Sequence, residues 1–265
     1  MVLAFAEFTL LYFLLAGLGI NLVYHRVLSH RSLRLARWLE RTLALLGLPA
    51  GTPVQWAGNH RFHHAHADTP LDPHSPLQHG FWHAHVGWYL PVRGIGWCVA
   101  YSLGGPLRML VDAWMRPRTT THSELAADIA ADPWHRWLDQ PVPYAIALHL
   151  HAAIPVFLMY RAWGWAGVAW VWFTLVVIYN LADGIDSFTH LYGRSVPGLT
   201  DGARNNTIFG ILALGEGWHA NHHRYPQSAR HGILPGQFDW TWQVIRLLRA
   251  LGAASDVRVV NIQSE

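Results

Sequence analysis

The chain has 265 residues, 52% of them hydrophobic and 13% charged, whereas a soluble domain carries about 25% charged residues, so a membrane protein is favoured. The basic residues are all arginines that flank apolar segments, and the net charge of +3 suits anionic lipid headgroups rather than nucleic acid. The single cysteine, Cys98, excludes an internal disulfide and a cysteine-ligated metal site, and the lack of lysine excludes Schiff-base chemistry.

Three apolar segments are long enough to cross a bilayer as helices. Residues 2–23 hold a single charge, Glu7, and at about 1.5 Å per residue they span a hydrocarbon core of about 30 Å. Residues 143–162 and 165–182 predict a helical hairpin, because only a very short turn separates them. Arginines are frequent directly after the first segment, so we expect its C-terminal end on the cytoplasmic side.

The remaining chain divides into an interfacial segment and a cap. Residues 39–57 are interrupted by prolines and glycines, so we expect them to lie at the membrane interface without crossing. An arginine and four glycines argue against a lipid-facing span at 90–111. Residues 60–140 and 191–265 are predicted to form a cytosolic cap. The expected fold is therefore all-α, a single domain over 1–265 with a membrane helical bundle of three or four spans below that cap.

Histidines are concentrated in two triplets with the same spacing. Positions i, i+3 and i+4 lie on one face of a helix, so the three side chains of each triplet can contact the same bound group. Neutral imidazole is a good ligand for iron, zinc and copper. The triplets are His60, His63, His64 and His219, His222, His223.

Two further groups of polar residues lie at the ends of apolar segments. His25 and His30 are five residues apart, about 140° around an ideal helix, and converge only if the helix frays or ends between them. Asp183, Asp186 and His190 share one helical face. Ionisable groups at membrane depth are usually functional. Together with His25 and His30, the two triplets supply eight candidate ligands. This number exceeds what one metal ion requires and suits two.

The other histidines are expected to be ordinary core or surface residues. His74 is left between this interpretation and a supporting role beside the metal site. The histidines to which we assign no function are His66, His79, His83, His85, His122, His135, His149, His151 and His231.

These motifs resemble those of the membrane-bound fatty acyl desaturases, in particular the Δ9 acyl-lipid and acyl-CoA branch. The resemblance runs from the first apolar segment almost to the C-terminus, and three histidine boxes in this order are highly specific. The matching stretches are "HRVLSHRS" (25–32), "HRFHHAHADTPLDPHS" (60–75), "FWHAHVGW" (81–88), "DPWHRWLD" (132–139), "GEGWHANHHRYPQSARHG" (215–232) and "FDWTWQVIRLLRALG" (238–252).

The resemblance implies an O₂-dependent enzyme with two irons and an acyl tunnel beside them, in a multi-pass membrane protein whose active site faces the cytoplasm. Trp56 matches a tunnel-lining residue of the family, and we assign Asp183 to substrate or water contact. No catalytic residue is expected beyond the metal ligands. The implied ligands are His25, His30, His60, His63, His64, His190, His219, His222 and His223, with Asp186 as a further candidate.

The implied substrate is a fatty acyl chain carried by CoA, acyl carrier protein or a glycerolipid. Electrons are expected from a separate donor such as ferredoxin or cytochrome b5, because the chain has no haem or dinucleotide-binding motif. Two features depart from the family pattern. Asp186 stands where members commonly have an asparagine that contacts iron through water, and members usually begin with one more helix before the first box.

Two alternatives to desaturation follow from the same residues. The metal centre could instead hydroxylate the acyl chain or introduce a triple bond. A histidine-rich metal transporter or sensor is the non-enzymatic alternative, but a transporter requires ligands along a path through the membrane. Here the histidine boxes lie at segment ends, which favours an enzyme.

Overall fold

The computed structural model describes residues 2–116 and 123–260, and most of these residues are helical. Two short strands, β1 (Arg34–Leu35) and β2 (Ala254–Ser255), pair antiparallel. A π-helical segment covers Leu18–Ser29, and 3₁₀ turns cover Leu48–Ala50 and Gly87–Tyr89. The α-helices are α1 (Val2–Gly17), α2 (Arg37–Leu46), α3 (Pro53–His66), α4 (Pro76–His79), α5 (Phe81–His85), α6 (Ile95–Ser102), α7 (Pro106–Met115), α8 (Ala127–Ala130), α9 (Pro133–Leu138), α10 (Pro141–Phe188), α11 (Thr207–Leu212), α12 (His219–Arg224) and α13 (Trp240–Ala250).

Two helical stretches, Val2–Ser29 and Pro141–Phe188, are long and apolar enough to cross a membrane. Helix α10 is not continuous, because Trp163 and Gly164 have non-helical backbone angles. A Cβ on Gly167 would lie only 2.2 Å from the carbonyl oxygen of Met159, so the chain on either side of this break is in close contact. The chain therefore reverses here, as the short turn in the sequence predicts.

The segment 39–57 contains no long helix. Helix α2 has 10 residues, a length of about 15 Å, and the 3₁₀ turn Leu48–Ala50 follows it directly. Gly51 then adopts a φ of 121°, which favours glycine, before α3 begins. Neither piece alone is long enough to cross the hydrocarbon core.

Helix α1 packs along the second half of α10, and their contacts fix the relative height of the two helices. The Trp170 indole donates to the Phe5 carbonyl at 2.9 Å, and the hydroxyls of Thr9 and Thr174 lie 2.8 Å apart. Both pairs have the same offset along the chain, so the two helices run in the same direction. Their C-terminal ends, which lead to His25 and His190, consequently lie at the same end of the bundle.

Candidate metal centre

The π-helical segment brings the first two histidines together. The His30 amide donates to the carbonyl of His25 at 3.1 Å, a bond across five residues. A π-helical turn contains more residues than an α-helical turn, so residues five apart return to nearly the same face. The two imidazole centroids are 5.0 Å apart. The helix ends at Ser29, between the histidines as predicted, but the π geometry that makes them converge was not predicted.

Local structure at each triplet directs its histidines inward. Thr52 caps α3 by accepting a hydrogen bond from the Gln55 amide, and Pro53 occupies the first helical position. Before α12, Gly217 packs so tightly that a Cβ would lie 2.0 Å from the amide nitrogen of Gly210. Only glycine fits this turn. Helix α12, which carries the second triplet, therefore begins close to α11.

Nine histidines converge in two adjacent clusters, and they are the nine that the resemblance implies. Within each cluster the potential ligand atoms all lie within 4.8 Å of one another. The first cluster, with Nε2 atoms 2.8 to 3.0 Å apart in its closest pairs, contains His25, His30, His60, His64 and His222. The second, with corresponding distances of 3.0 and 3.4 Å, contains His63, His190, His219 and His223.

Carboxylates hold the outer nitrogen of four of these histidines. A neutral imidazole that donates its Nδ1–H to a carboxylate presents a lone pair at Nε2, the form that binds metal. The Nδ1–carboxylate pairs are His25–Glu216 at 2.7 Å, His63–Asp72 at 3.0 Å, His190–Asp68 at 2.8 Å and His223–Asp201 at 3.0 Å.

The donor set fits a bound cation. His63 and His223 both have their Nδ1 atoms beside carboxylates, yet their Nε2 atoms face each other at 3.4 Å. Two lone pairs in this arrangement repel unless a cation lies between them. Two imidazole nitrogens at about 2.1 Å from one ion are about 3.4 Å apart at a tetrahedral angle, which agrees with the spacing of His63 and His223.

Burial favours the neutral form of two cluster histidines, His60 and His64. Desolvation and the neighbouring imidazoles lower the pKa of His60 and His64 well below its usual value. Metal ligation requires neutral imidazole, so these side chains need not lose a proton at neutral pH before binding a metal. The environment therefore favours the binding-competent state.

A buried ionic network beside the first cluster was not predicted from the sequence. Arg26 is fully buried and donates to Glu216 at 3.0 Å and to Asp239 at 3.1 Å. His231, which we had expected to be ordinary, is buried 3.4 Å from Glu216 and groups with His25. The available signal was Glu216 itself, an acidic residue three positions before a triplet histidine.

A cavity adjoins both clusters and is lined by the π segment, α3 and α10 among others. Trp56 lines it and stacks on His60, with 4.8 Å between ring centroids. Asp186 also lines the cavity together with His219. Among the residues that the structure describes, it belongs to none of the groups of close ligand atoms.

Asp183 lines the same cavity but already has protein partners. Its carboxylate forms an ion pair with Arg108 at 2.6 Å and accepts a hydrogen bond from the Tyr89 hydroxyl at 2.8 Å. Both carboxylate oxygens accept hydrogen bonds from Arg108, and contact of Asp183 with substrate or water stays a prediction. Arg108 also lines the cavity, so the pair together forms part of its wall.

The remaining histidines mostly have ordinary partners. His85 binds Ser187 and Asn180, and His135 binds Glu40. His149 and His151 contact backbone carbonyls one helical turn earlier. His66 packs on Phe62, and His79 and His83 bond backbone carbonyls between α3 and α4. His74 is buried and stacks on His63 at 4.3 Å, which supports its placement beside the metal site. His122 lies outside the described residues.

Comparisons with known proteins identify the family. A profile of the fatty acid desaturase family matches residues 1–246. The sn-1 stearoyl-lipid 9-desaturase of Anabaena variabilis is 35% identical over 95% of this chain and 83% of the relative. The sn-2 palmitoyl-lipid 9-desaturase of Nostoc sp. (strain 36) is 37% identical over 93% and 79%, and the acyl-CoA C20 Delta5-desaturase of Anemone leveillei is 34% identical over 94% and 72%. This chain therefore belongs to the fatty acid desaturase family and is an oxidoreductase.

Proposed function

We propose that the protein is an O₂-dependent fatty acyl desaturase that introduces a cis double bond, at Δ9, into a saturated acyl chain. The observation that carries the proposal is the pair of histidine clusters beside one cavity with an apolar wall. Two of the relatives described above are named as 9-desaturases and one as a Delta5-desaturase, so Δ9 is the position that the similarity favours.

Each cluster is proposed to hold one iron ion through the Nε2 atoms of its histidines. When bound, the two irons would supply the O₂-dependent oxidation that removes hydrogens from two adjacent carbons. The chain itself orients the imidazoles. Asp72, Asp201 and the other carboxylates keep the proton on Nδ1, so that Nε2 stays available, and Asp186 is proposed to hold a water at the site.

The cavity is proposed to position the acyl chain. Leu175 and Ile178 of α10 and Trp56 of α3 contribute apolar wall, which excludes water and favours a hydrocarbon chain over a polar ligand. Oxidation of an unactivated carbon depends on holding that carbon beside the metals, so the shape of the cavity sets the position of the double bond. The carrier is proposed to be a glycerolipid or CoA.

The proposed topology has three spans, one from Val2–Ser29 and two from the halves of Pro141–Phe188, as a single domain. All histidine boxes then lie on the cytoplasmic side, at the end where Arg31, Arg34 and Arg37 follow the first span. A soluble or membrane-bound carrier such as ferredoxin or cytochrome b5 would deliver electrons from that side. A transporter requires ligands along a path through the membrane. The two clusters are adjacent to each other instead, which disfavours a transporter.

Fatty-acid analysis of a host that expresses the protein tests this proposal. We expect a new monounsaturated acid, with its double bond located by mass spectrometry, and no such product from the His222→Ala variant at equal protein level. A hydroxy acid or an alkyne in place of the alkene would transfer the assignment to the hydroxylase or acetylenase alternative. If iron-replete protein gave no new product, the desaturase proposal and both the hydroxylase and acetylenase alternatives would be contradicted.

A further inference from the structure

Helices α6 and α7 are joined by a short turn at residues 103–105, and the Tyr101 hydroxyl of α6 donates a hydrogen bond to Asp112 of α7. The turn lies against α10, well before the C-terminal end of that helix. The Asn180 side chain donates to the carbonyl of Ser102 at 2.9 Å, and the Trp172 indole donates to the carbonyl of Leu103 at 2.8 Å. Asn180 and Trp172 lie eight and sixteen residues before Phe188, the end of α10, which corresponds to about 12 and 24 Å along the helix axis.

We propose that α6 and α7 enter the bilayer as a re-entrant hairpin and contact the acyl chains of the lipids with their outer face. This inference rests on the proposed membrane position of α10. It also changes the expectation that all of 60–140 belongs to a cytosolic cap, because the tip contacts α10 well within a hydrocarbon core of about 30 Å.

The backbone at the tip satisfies the main condition for such a position. Non-helical backbone at membrane depth is tolerated only where protein groups satisfy its polar atoms. The two carbonyls that the helices leave free at Ser102 and Leu103 accept the bonds from Asn180 and Trp172. Gly105 makes the turn possible, since its φ is 53° and a Cβ there would lie 2.9 Å from the Trp172 ring.

The charges of α7 all point away from the outer face. Arg108 is buried, pairs with Asp183 and lies 4.2 Å from the centroid of the Tyr179 ring. Asp112 is buried too, and it pairs with Arg116 and accepts a hydrogen bond from the Tyr101 hydroxyl. Charged groups within a membrane face the protein interior and are paired, as these are.

The outer face is apolar and exposed. Trp97 and Ile95 of α6 are 61% and 62% exposed, and Leu103 and Leu107 around the tip are 56% and 51% exposed. This face continues onto the outer surface of α10, where Phe173 is 53% exposed. An apolar surface of this extent is unfavourable in water and matches a lipid environment.

The hairpin also has a consequence for the acyl cavity. Arg108 lines that cavity from the inner face of α7, as does Arg116 directly after the helix, while Leu107 on the same helix is exposed outward. Helix α7 is therefore a thin wall between the cavity and the proposed lipid phase. An acyl chain in the cavity and the surrounding lipid would be separated by a single helix.

Site-directed spin labelling tests the hairpin directly, because the chain has only one cysteine to remove. In a Cys98→Ala background, nitroxide labels are attached to single cysteines replacing Leu107 and Trp97, and the proteins are reconstituted in phosphatidylcholine vesicles. Phe157 of α10, 59% exposed, provides the membrane reference, and Leu71, 61% exposed in the loop after α3, provides the aqueous reference. Metal content confirms that each labelled variant is folded.

The readout is the accessibility of each label to molecular oxygen relative to a water-soluble nickel chelate. We expect both hairpin labels to match Phe157, with a high ratio, and to differ from Leu71. Hairpin labels that match Leu71 while Phe157 is lipid-like would overturn the re-entrant hairpin and leave the desaturase assignment intact. A water-like label at Phe157 would overturn the proposed membrane position of α10, and the hairpin with it.

Discussion

Replacing Asp201 by asparagine should weaken one metal site and spare the other. One carboxylate oxygen of Asp201 lies 3.0 Å from Nδ1 of His223, and the other accepts a hydrogen bond from the Ala203 amide at 2.9 Å. Asparagine keeps the oxygen that bonds Ala203 but replaces the second by an amide group that cannot accept from Nδ1. Loss of such a partner lowers metal affinity by about 10- to 100-fold, or about 1.4 to 2.8 kcal/mol.

The assay is iron content after equilibration with a series of buffered free-iron concentrations. His223 belongs to the second cluster, so iron there should require higher free concentrations, while the first cluster still fills as in wild type. Asp256→Asn is the matched control, because that exposed carboxylate pairs with the exposed Arg34, at 3.3 Å, and not with a cluster histidine among the described residues. Unchanged occupancy in Asp201→Asn, or an equal loss at both sites, would refute the assignment of Asp201 to one cluster.

Three further predictions concern ligands, the acidic residue in the cavity and topology. His222→Ala should abolish turnover, because His222 Nε2 lies within 3.0 Å of two other ligand atoms, whereas His135→Ala should not; product yield at equal protein level decides between them. Asp186→Asn should retain iron but change turnover or product distribution. Wild-type turnover and products in this variant would mean that Asp186 is only a polar residue near the end of the helix. Cysteines near positions 35 and 68 should be labelled from the same side of the membrane, and labelling from opposite sides would disprove the interfacial position of 39–57.

The common orientation of the histidines within each triplet could be predicted from the sequence, because their spacing matches helical geometry. His60, His63 and His64 fall on one face of α3, as residues three and four apart must. His25 and His30 could be identified as candidate ligands. Their convergence depends on a π-helical segment, however, which no local spacing rule indicates. Helix type here is determined by tertiary packing, and only the structure shows it.

The outer carboxylates and the hairpin could not be predicted because they depend on contacts between distant segments. Asp68 meets His190 although the two are 122 residues apart, and neither sequence neighbourhood identifies the other. The ion pair between Asp183 and Arg108 likewise joins residues that are 75 positions apart, so the sequence does not indicate it. Charges that neutralise each other in the fold appear unpaired when each segment is considered alone.

The central claim is that each histidine cluster holds one iron, and the iron-to-protein ratio of the purified, iron-loaded protein tests it most directly. The account predicts two irons per chain, with at most one retained when the second cluster is disrupted by His63→Ala. Another divalent metal in the same stoichiometry would be compatible, since imidazole sites follow metal availability as well as affinity. A ratio of one or zero after iron loading of folded wild-type protein would contradict the two-iron centre.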